Sequence, residues 1–215
     1  MHFFISNDPR EKVTDKTYFT IIASLPHLVK KHRYLRGTAI NGFTMFGIAN
    51  LLWSTLAFFV YDRFHWGSAA VGLLGLLGLV AIIAAPFIGK MVDLYSARLN
   101  ISIGIGLGII AYFIFAIFSH SLLALIIGII FLDLSTQFSQ VTDQAIIQSI
   151  NREENSRNNS IFMFSYFFGG SMGTLLGINA WQRFGWSGVI IVAFIFIIIA
   201  LINYFTIGEP KQLGK

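Results

Sequence analysis

Long apolar runs without charged residues constrain this chain more than any other feature of its sequence. A helix rises about 1.5 Å per residue, so about 20 apolar residues cross a hydrocarbon core about 30 Å thick. We predict six such segments, and five of them contain no Lys, Arg, Asp or Glu. The segments are residues 38–61, 68–88, 99–118, 122–148, 158–181 and 186–207.

The composition supports an all-α membrane protein embedded in the lipid bilayer. Of the 215 residues, 55% are hydrophobic and only 12% are charged, whereas soluble domains have about 25% charged residues. This excludes a cytosolic enzyme, a disordered protein and a nucleic-acid-binding domain. Runs such as 189–202 do not alternate apolar and polar residues, so helices are favoured over a β-barrel. Pro86 predicts a kink in the second segment.

The Lys and Arg residues predict the orientation. Thirteen of the fifteen fall in segments on one side of the six spans, and only Arg63 and Arg183 fall on the other. Cytoplasmic loops of membrane proteins carry the excess of these residues. We therefore predict a protein of the cell (inner or plasma) membrane with both termini in the cytoplasm. Three regions follow, namely a cytoplasmic linker or interfacial segment (1–37), a six-helix transmembrane domain (38–207) and a cytoplasmic tail (208–215).

The fourth predicted segment carries a polar stripe. Asp133 is followed at steps of four and three by Gln137 and Gln140, which places them on one helix face. Such a stripe is costly in lipid, so it must face protein or a water-filled cavity. Asp133 is the candidate proton carrier, because burial favours the protonated form of a carboxyl group. The alternative is a structural contact within the bundle. Asp143 lies off the stripe, and we expect it to pair with Arg157 or Arg152.

Signatures of enzymes are absent from the sequence. It contains no H-E-x-x-H, no G-x-S-x-G and no Gly-rich phosphate loop with a Lys. It also contains no cysteine, which excludes a disulfide scaffold, a thiol nucleophile and a Cys-ligated zinc site. We therefore predict no catalytic residue, no metal and no cofactor.

A stripe of small residues marks the fifth predicted segment. It has small-xxx-small spacing, which is typical of close helix packing in membranes. The stripe consists of Gly169, Gly170, Gly173 and Gly177. Two interpretations remain open, a contact that slides during transport and static packing.

A charged motif lies between the second and third segments and reads Gly-Lys-Met-Val-Asp-Leu-Tyr-Ser-Ala-Arg over residues 89–98. It resembles the loop signature of the major facilitator superfamily, G-x-[LM]-x-D-[RK]-x-G-[RK]-[RK]. The matching residues are Gly89, Met91, Asp93 and Arg98, and the departures are Leu94, Ser96 and Ala97. A glycine there would allow close helix approach, and the aspartate would pair with a cation or cap a neighbouring helix.

Three further motifs extend the resemblance to drug-efflux-like members. Residues 151–159 resemble P-E-x-R-S-R-x-N, residues 167–173 resemble F-x-G-G-x-x-G, and residues 185–186 match a G-W dipeptide. Within residues 151–159 the matches are Glu153, Ser156, Arg157 and Asn159, and the departures are Arg152 and Asn155. The resemblance covers the chain from about residue 25 onward.

The resemblance implies the C-terminal six helices, a 3+3 inverted repeat, of a twelve-helix transporter. It further implies proton-coupled efflux of a small organic solute, with Asp133, Gln137, Gln140 and Asn50 at the cavity. Cytoplasmic gate residues would be Gly89, Asp93, Arg98, Glu153 and Arg157. The expected partners are protons, a small solute, and either a missing N-terminal half or a second copy. A non-transporting truncated or accessory membrane protein and a homodimeric half-size transporter remain the alternatives.

Overall fold

The computed structural model describes residues 32–150 and 154–207, and within these ranges it is helical and contains no strand. The helices are α1 Arg33–Phe64, α2 Ser68–Gly75, α3 Gly78–Leu94, α4 Ala97–Ile117, α5 Leu122–Ile150 and α6 Asn155–Ile207. Five candidate membrane spans result, since α2 and α3 together form one of them, Ala69–Leu94. Each is long and apolar enough to cross a bilayer.

The helix α6 is interrupted at Gly185, whose φ of 59° and ψ of −149° are not helical. The two parts of α6 pack along α1 in opposite directions. Before the break, residue numbers rise together, in the pairs Phe43 with Gly169, Gly47 with Gly173 and Leu51 with Gly177. After the break they run oppositely, in the pairs Gly37 with Asn203, Gly47 with Phe196 and Phe59 with Trp186. The two parts of α6 are therefore antiparallel to each other.

The helix α1 forms the centre of the bundle. Within its apolar stretch of 18 residues, 61% of the residues are buried, compared with 17% in the corresponding stretch of the span formed by α2 and α3. Its apolar residues form the main core with α4, α5 and the second part of α6. Tyr112 of α4 is fully buried in this core, and its hydroxyl donates a hydrogen bond to the carbonyl of Ile48 at 2.6 Å.

Two helix boundaries differ from the sequence-based prediction. Helix α1 begins at Arg33, so the end of the predicted linker is helical. Helix α3 continues to Leu94, so Gly89 and Asp93 lie on a helix and the turn itself comprises Tyr95 and Ser96. Hydropathy misses both extensions because charged residues at a helix end can remain helical outside the hydrocarbon core.

The second span is interrupted between α2 and α3, and the kink at Pro86 stays a prediction. Backbone N–H groups at Leu76 and Leu77 bond to carbonyls three residues earlier, at 3.1 and 3.0 Å, which is the tighter 3₁₀ pattern. Helix α3 keeps its helical assignment through Pro86. The break between the two helices therefore lies at Leu76 and Leu77, about ten residues before Pro86. It is within one turn of the groove described below.

Candidate functional site

An open groove of about 360 Å³ brings together the four cavity residues that the sequence predicts. Asn50 of α1 lines it, with Asp133, Gln137 and Gln140 of α5. Gly78 of α3 and Tyr166 of α6 complete its walls, among other residues. Gln144 and Gln148 follow Gln140 at steps of four along α5, but they do not line this groove. Residues from four helices thus form one polar depression within the predicted membrane region.

Only one of the two carboxyl oxygens of Asp133 accepts a hydrogen bond in this groove. The indole Nε1 of Trp53 donates a hydrogen bond to Oδ1 at 3.3 Å. The second oxygen, Oδ2, is buried and has no hydrogen-bond partner among the described residues. It faces Gly78, where a Cβ would lie 3.5 Å away. A carboxylate oxygen without a partner is costly in a membrane interior, so it favours a bound proton, a ligand or another chain at this position.

Sequence reasoning missed Trp53 as a groove residue. Its signal was its position, because Trp53 lies within a predicted span whereas tryptophans of an aromatic belt lie at span ends. The partner of its indole is 80 residues away in the chain. Only the packing of α1 against α5 brings the two side chains together.

A second open cleft, of about 560 Å³, adjoins the first along α1. Phe46 and Asn50 line both clefts. The polar residues of the second cleft come mostly from the first part of α6, and they are Ser171, Thr174 and Asn179. Among the described residues that line the two clefts, Asp133 is the one charged side chain. These three polar residues of α6 are scattered in the sequence and form no recognisable motif, so their role in a cleft was not predictable.

The amide of Asn50 contacts its own helix. Its Nδ2 donates to the carbonyl of Phe46 at 3.0 Å, so the side chain folds back by one turn. A Cβ at Gly170 would lie 3.0 Å from the same Nδ2. Asn50 therefore lies where the two clefts meet, beside the glycine surface of α6.

The four glycines of the predicted stripe, in the first part of α6, lie against α1. A Cβ at Gly169 would overlap the carbonyl oxygen of Phe43, and one at Gly173 would overlap that of Gly47. At Gly170 the obstacle is the ring of Phe46, at 2.7 Å. At Gly177 it is Leu51, whose Cγ and carbonyl oxygen would both lie at 3.2 Å. The backbones of the two helices approach closely along this surface, which glycine permits.

Of the predicted gate residues between α3 and α4, Arg98 contacts another helix, whereas Gly89 and Asp93 make none of the expected contacts within the described chain. Asp93 is exposed and makes no hydrogen bond or ion pair with the rest of the described chain. The cap of α4 is instead Ser96, whose hydroxyl accepts from the N–H of Leu99 at 3.2 Å. A Cβ at Gly89 would meet nothing within 4 Å, so the expected close helix approach is not seen between described residues.

Arg98 contacts the end of α6. Its Nε donates to the hydroxyl of Tyr204 at 3.3 Å, and its guanidinium carbon lies 5.0 Å from the centre of that ring. A cation held over an aromatic ring in this way is attracted by the electrons of the ring face. Arg98 therefore fixes the turn between α3 and α4 to the end of the bundle.

The second predicted gate loop is visible only in part. Glu153 lies outside the described residues, as does Arg152. The neighbouring Glu154 accepts from Nε2 of His32 at 3.0 Å and lies 3.6 Å from a guanidinium nitrogen of Arg157. These contacts join the start of α1 to the start of α6.

The expected pairing of Asp143 with Arg157 is wrong, and the other expected partner, Arg152, lies outside the described residues. Arg157 does not contact Asp143 and lies beside Glu154 instead. The partner of Asp143 is Asn41, whose Nδ2 donates to Oδ2 at 2.9 Å. Asp143 is fully buried (0% exposed), because it lies on the face of α5 that packs against α1.

Groups of three or more His, Asp or Glu side chains that could hold a metal ion do not occur within 32–150 and 154–207. The polar groups of the clefts are amides, hydroxyls, an indole and one carboxyl group. This set can bind a small polar or organic molecule by hydrogen bonds and aromatic contact.

Membrane-spanning helices packed around a partly polar groove define a helical integral membrane protein as the class of protein. The chain matches the model of the Major Facilitator Superfamily over residues 11–215, and it belongs to that family. It is 32% identical over 191 residues to "Uncharacterized transporter YgaY" of Escherichia coli O157:H7, covering 88% of this chain and 48% of the relative. It is 25% identical over 177 residues to "Probable transporter SCO4007" of Streptomyces coelicolor, covering 81% of this chain and 41% of the relative. The chain thus spans about half the length of the curated relatives it matches.

Proposed function

We propose that the chain is one six-helix half of a major facilitator transporter, built as a 3+3 inverted repeat. The break at Gly185 supports the sixth span. At about 1.5 Å per residue, an unbroken helix of the length of α6 would be about 80 Å long, well over twice the hydrocarbon core. The antiparallel packing of its two parts against α1 is what two consecutive spans would produce.

The proposed activity is proton-coupled efflux of a small organic solute by alternating access. The observation that carries it is Asp133, a partly unsatisfied carboxyl group inside a groove lined by amides and aromatic rings. In transporters of this kind the site lies near the bilayer midplane between two repeats that rock against each other. Asp133 would carry the proton, with Gln137, Gln140 and Asn50 contacting the solute. The efflux direction and the drug-efflux-like branch rest on the resemblance of the loop motifs.

The groove implies a further partner. Lipid tails offer no hydrogen bonds to the carboxyl group of Asp133 or to the amides of Gln137 and Gln140, so lipid contact there would be costly. A second six-helix unit would cover them, and the relatives contain the additional length for one. In this proposal the protein lies in the cell membrane and both of its termini are on the cytoplasmic side. The gate would then comprise Gly89, Asp93, Arg98, Glu153 and Arg157, and the glycine surface of α6 would provide either sliding or static packing.

Transport is tested with the Asp133→Asn variant. The complete transporter that contains this chain is reconstituted in proteoliposomes, and flux of fluorescent organic solutes, ethidium among them, is driven by an imposed pH gradient. Asp133→Asn should abolish proton-driven flux because an amide cannot release a proton. The matched control is Asp62→Asn, the same change at an exposed position near the end of α1. Unchanged flux and pH dependence in Asp133→Asn would remove Asp133 from the mechanism.

The size of the native chain separates the remaining possibilities. An antibody against residues 208–215 would detect the protein in its own membranes under denaturing conditions. A band near twice the 24.0 kDa of this chain supports a half of a longer transporter. A band at 24.0 kDa contradicts it and leaves the homodimeric half-size transporter or a non-transporting protein.

A further inference from the structure

A second carboxyl group lies inside the bundle, away from the groove. Asp143 of α5 is 0% exposed, and Asn41 of α1, its hydrogen-bond partner, is 2% exposed. One oxygen of each remains without a partner in the described chain, Oδ1 of Asp143 and Oδ1 of Asn41. Neither residue lines either of the two clefts. The sequence-based function therefore leaves this pair without a role.

Other unpartnered polar atoms occur on the helices packed around this pair. Ser139 is one helical turn before Asp143, and its buried hydroxyl has no hydrogen-bond partner in the described chain. Asn158 of α6 is 0% exposed, and neither of its side-chain polar atoms has a partner there. It lies one turn before Phe162, whose ring packs against Gly42, the neighbour of Asn41. Buried polar atoms are rarely left without partners in native proteins, so several on adjoining helix turns indicate a bound species.

No charged side chain within residues 32–150 and 154–207 forms an ion pair with Asp143, and Arg157 is engaged with Glu154. Tyr166 of α6 is a further titratable group near Asp143. Arg98 of α4 lines a small cavity that Asn41 also lines, but its Nε is directed to Tyr204. An isolated negative charge in a membrane interior is strongly unfavourable, so one positive charge must accompany it.

We propose that Asp143 and Asn41 form a binding site for a single monovalent cation, either a proton or Na⁺, separate from the solute groove at Asp133. A single carboxylate balances one positive charge. The unpartnered Oδ1 atoms are both oxygens, and carboxylate and amide oxygens are the ligands that hard cations prefer. A proton on Asp143 could instead be donated as a hydrogen bond to an amide oxygen. The site does not depend on Asp133 being the coupling residue.

A small cavity adjoins Asn41 near one end of the bundle. It has a volume of about 30 Å³, enough for one or two water molecules. Its lining includes Asn41 and Thr38 of α1, Asn203 of α6 and Arg98. This is the end predicted to face the cytoplasm, so the cation would exchange from that side. The positive charge of Arg98 in the cavity wall lowers the affinity of this site for a cation.

The test is infrared difference spectroscopy of the 215-residue chain in lipid nanodiscs, with Na⁺ or choline as the salt cation. If the cation is a proton, a band of a protonated carboxyl group is present at neutral pH, is lost in Asp143→Asn and persists in Asp133→Asn. If it is Na⁺, replacement of choline by Na⁺ shifts a carboxylate band, and this shift is lost only in Asp143→Asn. An Asp143 carboxylate that is ionised and insensitive to Na⁺ overturns the proposal.

A second variant keeps the test decisive if Asp143→Asn does not fold. Asn41→Ala retains the carboxyl group and removes its hydrogen-bond donor, so the Asp143 band should shift in frequency. Asn50→Ala is the matched control, because it removes the same amide from the groove and should leave that band in place. An unchanged band in Asn41→Ala also overturns the proposal. A loss of flux in Asp133→Asn with no effect on these bands would show that the two sites are independent.

Discussion

Substitution of the glycines on α6 by alanine gives a graded test of the packing between α1 and α6. At Gly173 a Cβ would overlap the carbonyl oxygen of Gly47, and a backbone atom cannot rotate away as a side chain can. Overpacking of this kind costs about 1–3 kcal/mol. At Gly106 of α4 a Cβ would meet nothing within 4 Å. There the change to alanine should stabilise by about 0.5–1 kcal/mol, because alanine loses less backbone freedom on folding.

The expected order of the free energies of unfolding follows from these distances. Gly169→Ala and Gly173→Ala should be least stable, because both meet backbone carbonyls. Gly177→Ala should be intermediate, since its Cβ would lie 3.2 Å from Leu51. Gly106→Ala is the control, and its free energy of unfolding should exceed that of Gly173→Ala by roughly 1.5–4 kcal/mol, the sum of the two effects.

Reversible unfolding in mixed micelles with a rising fraction of denaturing detergent measures this series, with helical circular dichroism as the signal. The midpoint and slope together give the free energy of unfolding of each variant. Equal stabilities of Gly173→Ala and Gly106→Ala would refute the close contact between α1 and α6. In that case the antiparallel arrangement of the two parts of α6 would also lose its main support.

Two further changes test the core and the break in α6. Tyr112→Phe should reduce stability by about 0.5–1.5 kcal/mol, because it removes the buried hydrogen bond to the carbonyl of Ile48; an unchanged midpoint in the same unfolding assay would contradict this. Gly185→Ala should cost about 1–3 kcal/mol, since a φ of 59° with a ψ of −149° strains any residue with a Cβ. Gly75→Ala, at a position with no atom within 4 Å of the added Cβ, is its control, and equal stability of these two variants would argue against the break.

The candidate site was partly predictable from the sequence. The spacing of Asp133, Gln137 and Gln140 placed them on one face of a helix, and the structure has them in one groove with Asn50. This succeeded because the period of a helix is a local property of the chain. Trp53 was missed, because nothing in the local sequence indicates that its indole meets a carboxyl group on another helix.

The predictions that concerned contacts between helices were less successful. Asp143 was expected to pair with a cation from the following loop, yet it bonds to an amide 102 residues away. Asp93 was expected to form a cap or an ion pair, but Ser96 caps α4 and Asp93 is exposed. Such partners depend on the rotation of each helix about its axis, which the hydropathy of a single segment does not determine.

The sequence by itself determined that the chain is a helical membrane protein with a polar stripe on one span. Hydropathy and periodicity decide this, because each helix must satisfy its own backbone in lipid whatever its neighbours are. The tertiary structure alone decided that Asp133 lies in an open groove, that Asp143 is enclosed against Asn41, and that α6 reverses at Gly185. These features arise where helices distant in sequence pack together, and the close approach of α1 to the glycines of α6 sets their positions.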